Sequence, residues 1–221
     1  MNDSVHIDKS KRYLPHWRRE GSTAIYWITF RLADSLPKLE LDALNEERER
    51  FLIDHPKPWA DQVRKNYKEC FPARIEAWLD AGHGSCILTK SEIRQHLIDA
   101  LLKFDGERHD FISGVIMPNH VHLLLRLRKG TELAALLRGI KGTSAKWINK
   151  ATGMTGKPLW MDESYDHIVR TREELGAFKE YIRKNPIHLN ADQFWLEERE
   201  IAFKLVSDPL HKMLLAVDED T

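Results

Sequence analysis

Two cysteines, Cys70 and Cys86, are all the chain has, and they form neither a CxxC pair nor a disulfide framework. A disulfide-stapled secreted scaffold is therefore excluded, and a reducing compartment is expected. Net charge is lacking too: 34 Lys and Arg balance 34 Asp and Glu. Total charge thus says nothing about partners. No apolar run approaches the roughly 18 residues of a membrane span, and MNDSVHIDKSKRYLPHW at the start has no apolar leader core. A soluble cytoplasmic protein with no membrane partner is expected. Internal repeats and low-complexity segments are also missing. At 221 residues the chain has the length of one domain with a substantial core.

What is present is uneven. Between Arg126 and Lys150 stand seven basic residues (Arg126, Arg128, Lys129, Arg138, Lys141, Lys146, Lys150) against one acid, Glu132. From Asp192 onward there are eight acids and three bases. A basic middle with an acidic tail fits a polyanion-binding surface, although two solvated faces would look the same.

After a basic arm (Lys9 to Arg19), AIYWITFRL (Ala24 to Leu32) reads as a strand, being β-branched and aromatic. A charged helix follows from Lys38 to Ile53. A break at His55-Pro56-Lys57-Pro58 precedes a second helical stretch to Leu79, interrupted at Pro72. AGHGSC (Ala81 to Cys86) contains only a lone GxG and reads as a turn. Thr89-x-x-Glu92 predicts a capping box for a helix with Ile93, His96, Leu97, Ala100, Leu101 and Phe104 on one face. Phe111–Met117 reads as a buried strand and His120–Arg128 as its hairpin neighbour. Leu133, Leu136, Leu137, Ile140, Ser144, Trp147 and Ile148 form a helical stripe. Tyr165–Arg170 is a last strand, and Thr171-x-x-Glu174 caps a helix that ends before Pro186.

Strand, helix, strand, strand, helix, strand, helix is the split βαβ plan. The expected fold class is α+β, a ferredoxin-like antiparallel sheet in a single domain over 1–221. A helical insertion at about 37–86 follows the first strand, and an acidic extension covers about 190–221.

MPNHVHLLLRL (Met117 to Leu127) holds the chemistry. Alternation points Val121, Leu123, Leu125 and Leu127 one way, and His120, His122, Leu124, Arg126 and Arg128 the other. Two imidazoles at i and i+2 on one strand face can hold a single metal ion. In EELGAFKEYIRKNP, Tyr181 and Asn185 are i and i+4 on a stripe beside Leu175, Phe178 and Ile182. If that stripe meets the histidines, the set can bind a divalent cation and supply a phenol nucleophile. Two imidazoles alone would equally suit zinc.

MPNHVHLLL followed about sixty residues later by YIRKNP resembles the single-tyrosine HUH transposases, and more closely the REP-associated tyrosine transposases. RYLPHWRREGSTAIYWITFRLADSLP and PLWMDESYDHIVRTREEL are similar to further stretches of that family. The resemblance implies an HUH motif on a central strand, a C-terminal helix carrying the tyrosine, His120, His122 and Asn185 as metal ligands, and Mg²⁺ or Mn²⁺ as cofactor. It also implies Tyr181 as nucleophile. Single-stranded DNA would be nicked beside a foldback hairpin of a palindromic repeat, leaving a 5′-phosphotyrosine that is later rejoined. From charge and placement, Arg12, Arg18 and Arg19 are candidates for gripping the hairpin. Arg126, Arg128, Lys141 and Lys146 are candidates for the DNA backbone. A homodimer is a further candidate partnership. Two other readings stand beside this one: a domesticated DNA-binding protein acting on such repeats without transposition, and a metal-dependent phosphoesterase for small substrates.

Overall fold

A computed structural model of the chain describes residues 24–200, together with the backbone of β1 (His6–Ile7) and β2 (Trp17–Arg18), a short antiparallel pair. The residues divide into two compact units, Lys38–Ala77 with Glu200 in one and the remainder in the other.

The larger unit is built on a five-stranded antiparallel sheet. Its strands are β3 (Ile25–Arg31), β4 (His109–Ile116), β5 (His120–Leu127), β6 (Tyr165–Val169) and β7 (Trp195–Glu198), in the order β6-β3-β5-β4-β7. The first four realise the split βαβ plan, with β7 added beside β4. Tyr26, Ile28, Phe30 and Leu32, at alternate positions in and just beyond β3, and Val121, Leu123, Leu125 and Leu127 of β5 line one face. Against them pack Ile93, Leu97 and Leu101 of α4 (Ser91–Leu102) and Leu133, Leu136, Leu137, Ile140 and Ile148 of α5 (Leu133–Thr152). Gly114 is held to its size here: a Cβ would lie 2.8 Å from the Leu123 side chain and 3.1 Å from the Phe111 ring.

Lys38–Ala77 contains α1 (Lys38–Asp54), α2 (Asp61–Cys70) and most of α3 (Pro72–Asp80). Its interior is aromatic: Phe51 has His55, Trp59, Tyr67 and Phe71 around it, and Arg48 Nε donates to the Tyr67 hydroxyl at 2.6 Å. No helix among the described residues is long and apolar enough to cross a membrane.

Two local expectations need correction. The Thr89–Glu92 capping box does not form, because Thr89 closes a 3₁₀ turn (Ile87–Thr89) and its hydroxyl donates to Cys86 O at 2.7 Å. Lys90 therefore occupies the cap position of α4, with no side-chain cap bond. Trp147 is off the core stripe and 43% exposed, stacked on His96 and flanked by Lys146 and Lys150. The histidine face of β5 is covered by α6 (Arg172–Lys184), which packs over it.

Candidate active site under the last helix

His120 and His122 are 0% exposed on the middle strand of the sheet. Each ring is fixed through Nδ1. The His120 Nδ1–H donates to Asn119 Oδ1 at 2.7 Å, and Asn119 Nδ2 donates to Leu79 O at 3.2 Å and His83 O at 3.0 Å. Those two carbonyls orient the Asn119 amide, so its oxygen must face His120. That bond puts the proton on Nδ1 and the lone pair on Nε2, the arrangement a metal-ligating imidazole needs. Nδ1 of His122 meets Thr29 Oγ1 at 2.8 Å, across the β3–β5 register. The turn read at Ala81–Cys86 thus supplies, through His83, part of the support for His120.

The last helix brings the other groups. Thr171 Oγ1 accepts from Glu174 N at 3.1 Å, the predicted cap, and Glu174 Oε2 accepts from Arg170 N at 2.7 Å. His167 Nε2 lies 2.5 Å from Glu174 Oε1, tying β6 to the first turn of α6. Lys179 and Arg183, two residues either side of Tyr181, both reach Glu198 of β7, at 3.0 and 2.9 Å. Held at both edges of the sheet, α6 lays Phe178 on Trp27 (ring centroids 4.6 Å, stacked), while Trp27 stacks on His122 at 5.0 Å. The Tyr181 ring stands edge-on to Trp27 at 5.4 Å and to His122 at 5.2 Å. One turn on, Asn185 ends the helix, its backbone N–H bonding to Tyr181 O.

The four residues singled out from the sequence are therefore brought together. Sequence reasoning missed Trp27, Thr29 and Asn119, which hold them. Alternation along β3 puts Trp27 and Thr29 on the histidine face once its register with β5 is known; Asn119 carries no signal beyond its place beside His120.

Burial drives the His120 imidazole down to about 3, and the neighbouring Asn185 side chain only partly offsets this. His122 is held well below its ordinary value by burial and by His120. His109, buried at the start of β4, is lowered for the same first reason. All three are neutral in the fold at neutral pH. An imidazole with a depressed folded pKa contributes stability that is complete above about 6.5 and is lost as pH falls below it. With chelator present, the urea midpoint should therefore drop between pH 7.5 and 5.0. His120 alone accounts for about 2 kcal/mol at about 1.4 kcal/mol per pH unit. A midpoint unchanged over that range would contradict the buried neutral state.

Does this set suit a metal? Among the described residues no three His, Cys, Asp or Glu side chains converge on a metal site. The set is instead two histidines and an amide. Nε2 of His120 and Oδ1 of Asn185 are buried without a hydrogen-bond donor. Two lone-pair acceptors buried side by side repel unless a cation or proton lies between them. The residues fit a divalent cation that accepts imidazole and amide oxygen.

The basic candidates are placed less uniformly. Arg126 and Arg128 both pair with Asp110, at 2.7 and 2.6 Å. Lys141 Nζ donates to Met161 O and Asp162 O, at 2.6 and 2.9 Å. Lys146 is exposed over the Trp147 ring. Arg12 and Arg19 lie outside the described residues, and of Arg18 only the backbone is described.

Comparison with known proteins shows what these residues are similar to. Residues 87–185 match the family described as "Transposase IS200 like". A protein of Haemophilus influenzae, itself uncharacterized, is 30% identical over 105 residues, which cover 38% of this chain and 57% of that protein. The chain thus spans little more than half the length of that curated relative. Among solved structures, a REP-associated tyrosine transposase bound to a REP hairpin is similar at 16% identity and a TM-score of 0.37, over 78% of this chain and 73% of that one. A candidate transposase of Deinococcus radiodurans R1 is similar at 16% identity and 0.36, over 76% and 95%. The matched stretch, residues 87–185, carries both histidines, the tyrosine and the asparagine, and it is similar to the IS200-like transposases.

Proposed function

We propose that this protein nicks and rejoins single-stranded DNA at hairpin-forming repeats, with Tyr181 as the nucleophile. The observation that carries the reading is the meeting of Tyr181 and Asn185 from α6 with His120 and His122 from β5. In the nicking step the Tyr181 Oη–phosphorus bond forms and the bond from phosphorus to the 3′ oxygen breaks. The phenol loses its proton and the departing 3′ oxygen gains one, leaving a 5′-phosphotyrosine and a 3′-hydroxyl. The bond energy is conserved in the adduct, so rejoining is the same step reversed. A divalent cation, Mg²⁺ or Mn²⁺, held by His120, His122 and Asn185 would polarise the phosphodiester and stabilise charge on the leaving oxygen.

Lys38–Ala77 is read as an insertion within one nuclease domain. Arg12, Arg18 and Arg19 are assigned to the hairpin, and Lys146 to the DNA backbone. Arg126, Arg128 and Lys141 can join it only by exchanging their present partners for phosphate.

Substrate form tests the reading. A hairpin with a single-stranded flank should bind on the order of tenfold or more tightly than its perfect duplex at equal salt, because stacking on unpaired bases is available only to the flank. Both affinities should weaken as salt rises. Equal affinity for plain duplex, with no nicking of the flanked hairpin, would overturn it.

A further inference from the structure

We propose that Arg31 is a substrate-binding residue of this site, its guanidinium contacting a non-bridging oxygen of the phosphodiester that Tyr181 attacks. The inference rests on the function proposed above. Its basis is register. Trp27 stacks on His122, and Thr29 bonds to it, so the odd-numbered side chains of β3 lie on the histidine face. Two residues beyond Thr29, Arg31 is the direct cross-strand partner of His120. Directly opposite residues on one face have Cβ atoms about 4.5–5.5 Å apart.

The company Arg31 keeps is unlike that of the structural arginines of this protein. Buried Arg94 donates to three carbonyls, Leu88 O, Thr89 O and Asp192 O. Arg126 and Arg128 share the Asp110 carboxylate. Half-buried Arg31 instead makes, among the described residues, a 3.2 Å bond from Nη1 to the neutral hydroxyl of Ser35, which itself donates to Leu32 O at 2.7 Å. Desolvation lowers its pKa, and only the charge of Glu163 opposes this. A guanidinium has five donors in a planar fork suited to phosphate. A desolvated cation set beside a candidate cation site is unfavourable until an anion bridges the two, and a phosphodiester is that anion.

The test uses the full chain and a flanked hairpin, with a neutral methylphosphonate placed at the phosphate to which the parent protein becomes linked. Binding is read by fluorescence anisotropy in EDTA, so that neither metal nor cleavage contributes. The methylphosphonate should weaken parent binding about tenfold, as expected for loss of a charge-assisted hydrogen bond. Arg31→Gln should show a similar loss with natural DNA and no further loss with the methylphosphonate. Arg31→Lys, which keeps the charge without the fork, should fall between. In Mn²⁺, Arg31→Gln should also form adduct more slowly at saturating DNA. If the parent forms adduct but Arg31→Gln binds like it, or still feels the methylphosphonate in full, Arg31 belongs to a structural pair with Glu163 and this inference alone falls. A parent that never forms adduct removes the nuclease reading and this inference with it.

Discussion

Tyr181→Phe will form no covalent protein–DNA adduct and will not nick a flanked hairpin, while folding, binding Mn²⁺ and binding DNA as the parent does. The Tyr181 ring packs edge-on against Trp27 and His122, contacts that phenylalanine reproduces. The helix beneath it is held by Thr171, Glu174 and Glu198, none of which is altered. Its unfolding free energy should therefore change by no more than about 0.5 kcal/mol. Loss of a nucleophile costs on the order of 10⁴–10⁶ in rate, so residual cleavage should be undetectable. Labelled hairpin is incubated with each protein and Mn²⁺, denatured, and examined for a shifted protein band. A band from Tyr181→Phe, or none from the parent, would falsify the tyrosine mechanism.

His120→Ala should abolish nicking for a different reason, loss of the cation, and at a structural cost. Because the ring is fully buried, alanine leaves a cavity and strips Asn119 Oδ1 of its donor, which together should cost about 2–4 kcal/mol. Stability must therefore be measured beside activity, and His120→Gln offers a polar replacement that fills more of the space. Changes to groups that merely orient a ligand cost roughly 10–100-fold in metal affinity, so removal of the ligand itself should exceed about 100-fold. Asn119→Ala, one bond further out, should fall within the smaller range. Calorimetric Mn²⁺ affinity equal to the parent's in folded His120→Gln would remove His120 from the metal set.

Much of this site can be read from periodicity. Spacing of two on a strand predicts that His120 and His122 share a face, and spacing of four on a helix predicts that Tyr181 and Asn185 do. Alternation cannot say whether the face it identifies is covered. The histidine face is buried because Phe178 and Ile182 lie over the sheet, a tertiary fact. Nor can it give the register between segments about ninety residues apart. That register sets Trp27, Thr29 and Arg31 beside the histidines. Thr89 failed as a cap because the preceding 3₁₀ turn offered its hydroxyl a nearer acceptor. Lys141 looked like an outward cation because the carbonyls it binds, at Met161 and Asp162, come from a segment with no regular pattern.

The same long-range pairing has a consequence during synthesis. β3 is made first but finds β5 only after about ninety further residues, and α6 follows β5 by about fifty more. A chain halted after β5 would hold both histidines without the tyrosine, and a surface of Trp27 and His122 lacking the Phe178 and Tyr181 rings that pack on them. Contacts this distant in sequence form slowly and late. On the nuclease reading, no shortened translation product ending before Tyr181 could join itself to DNA. The capacity to cut therefore arrives only once α6 has been made.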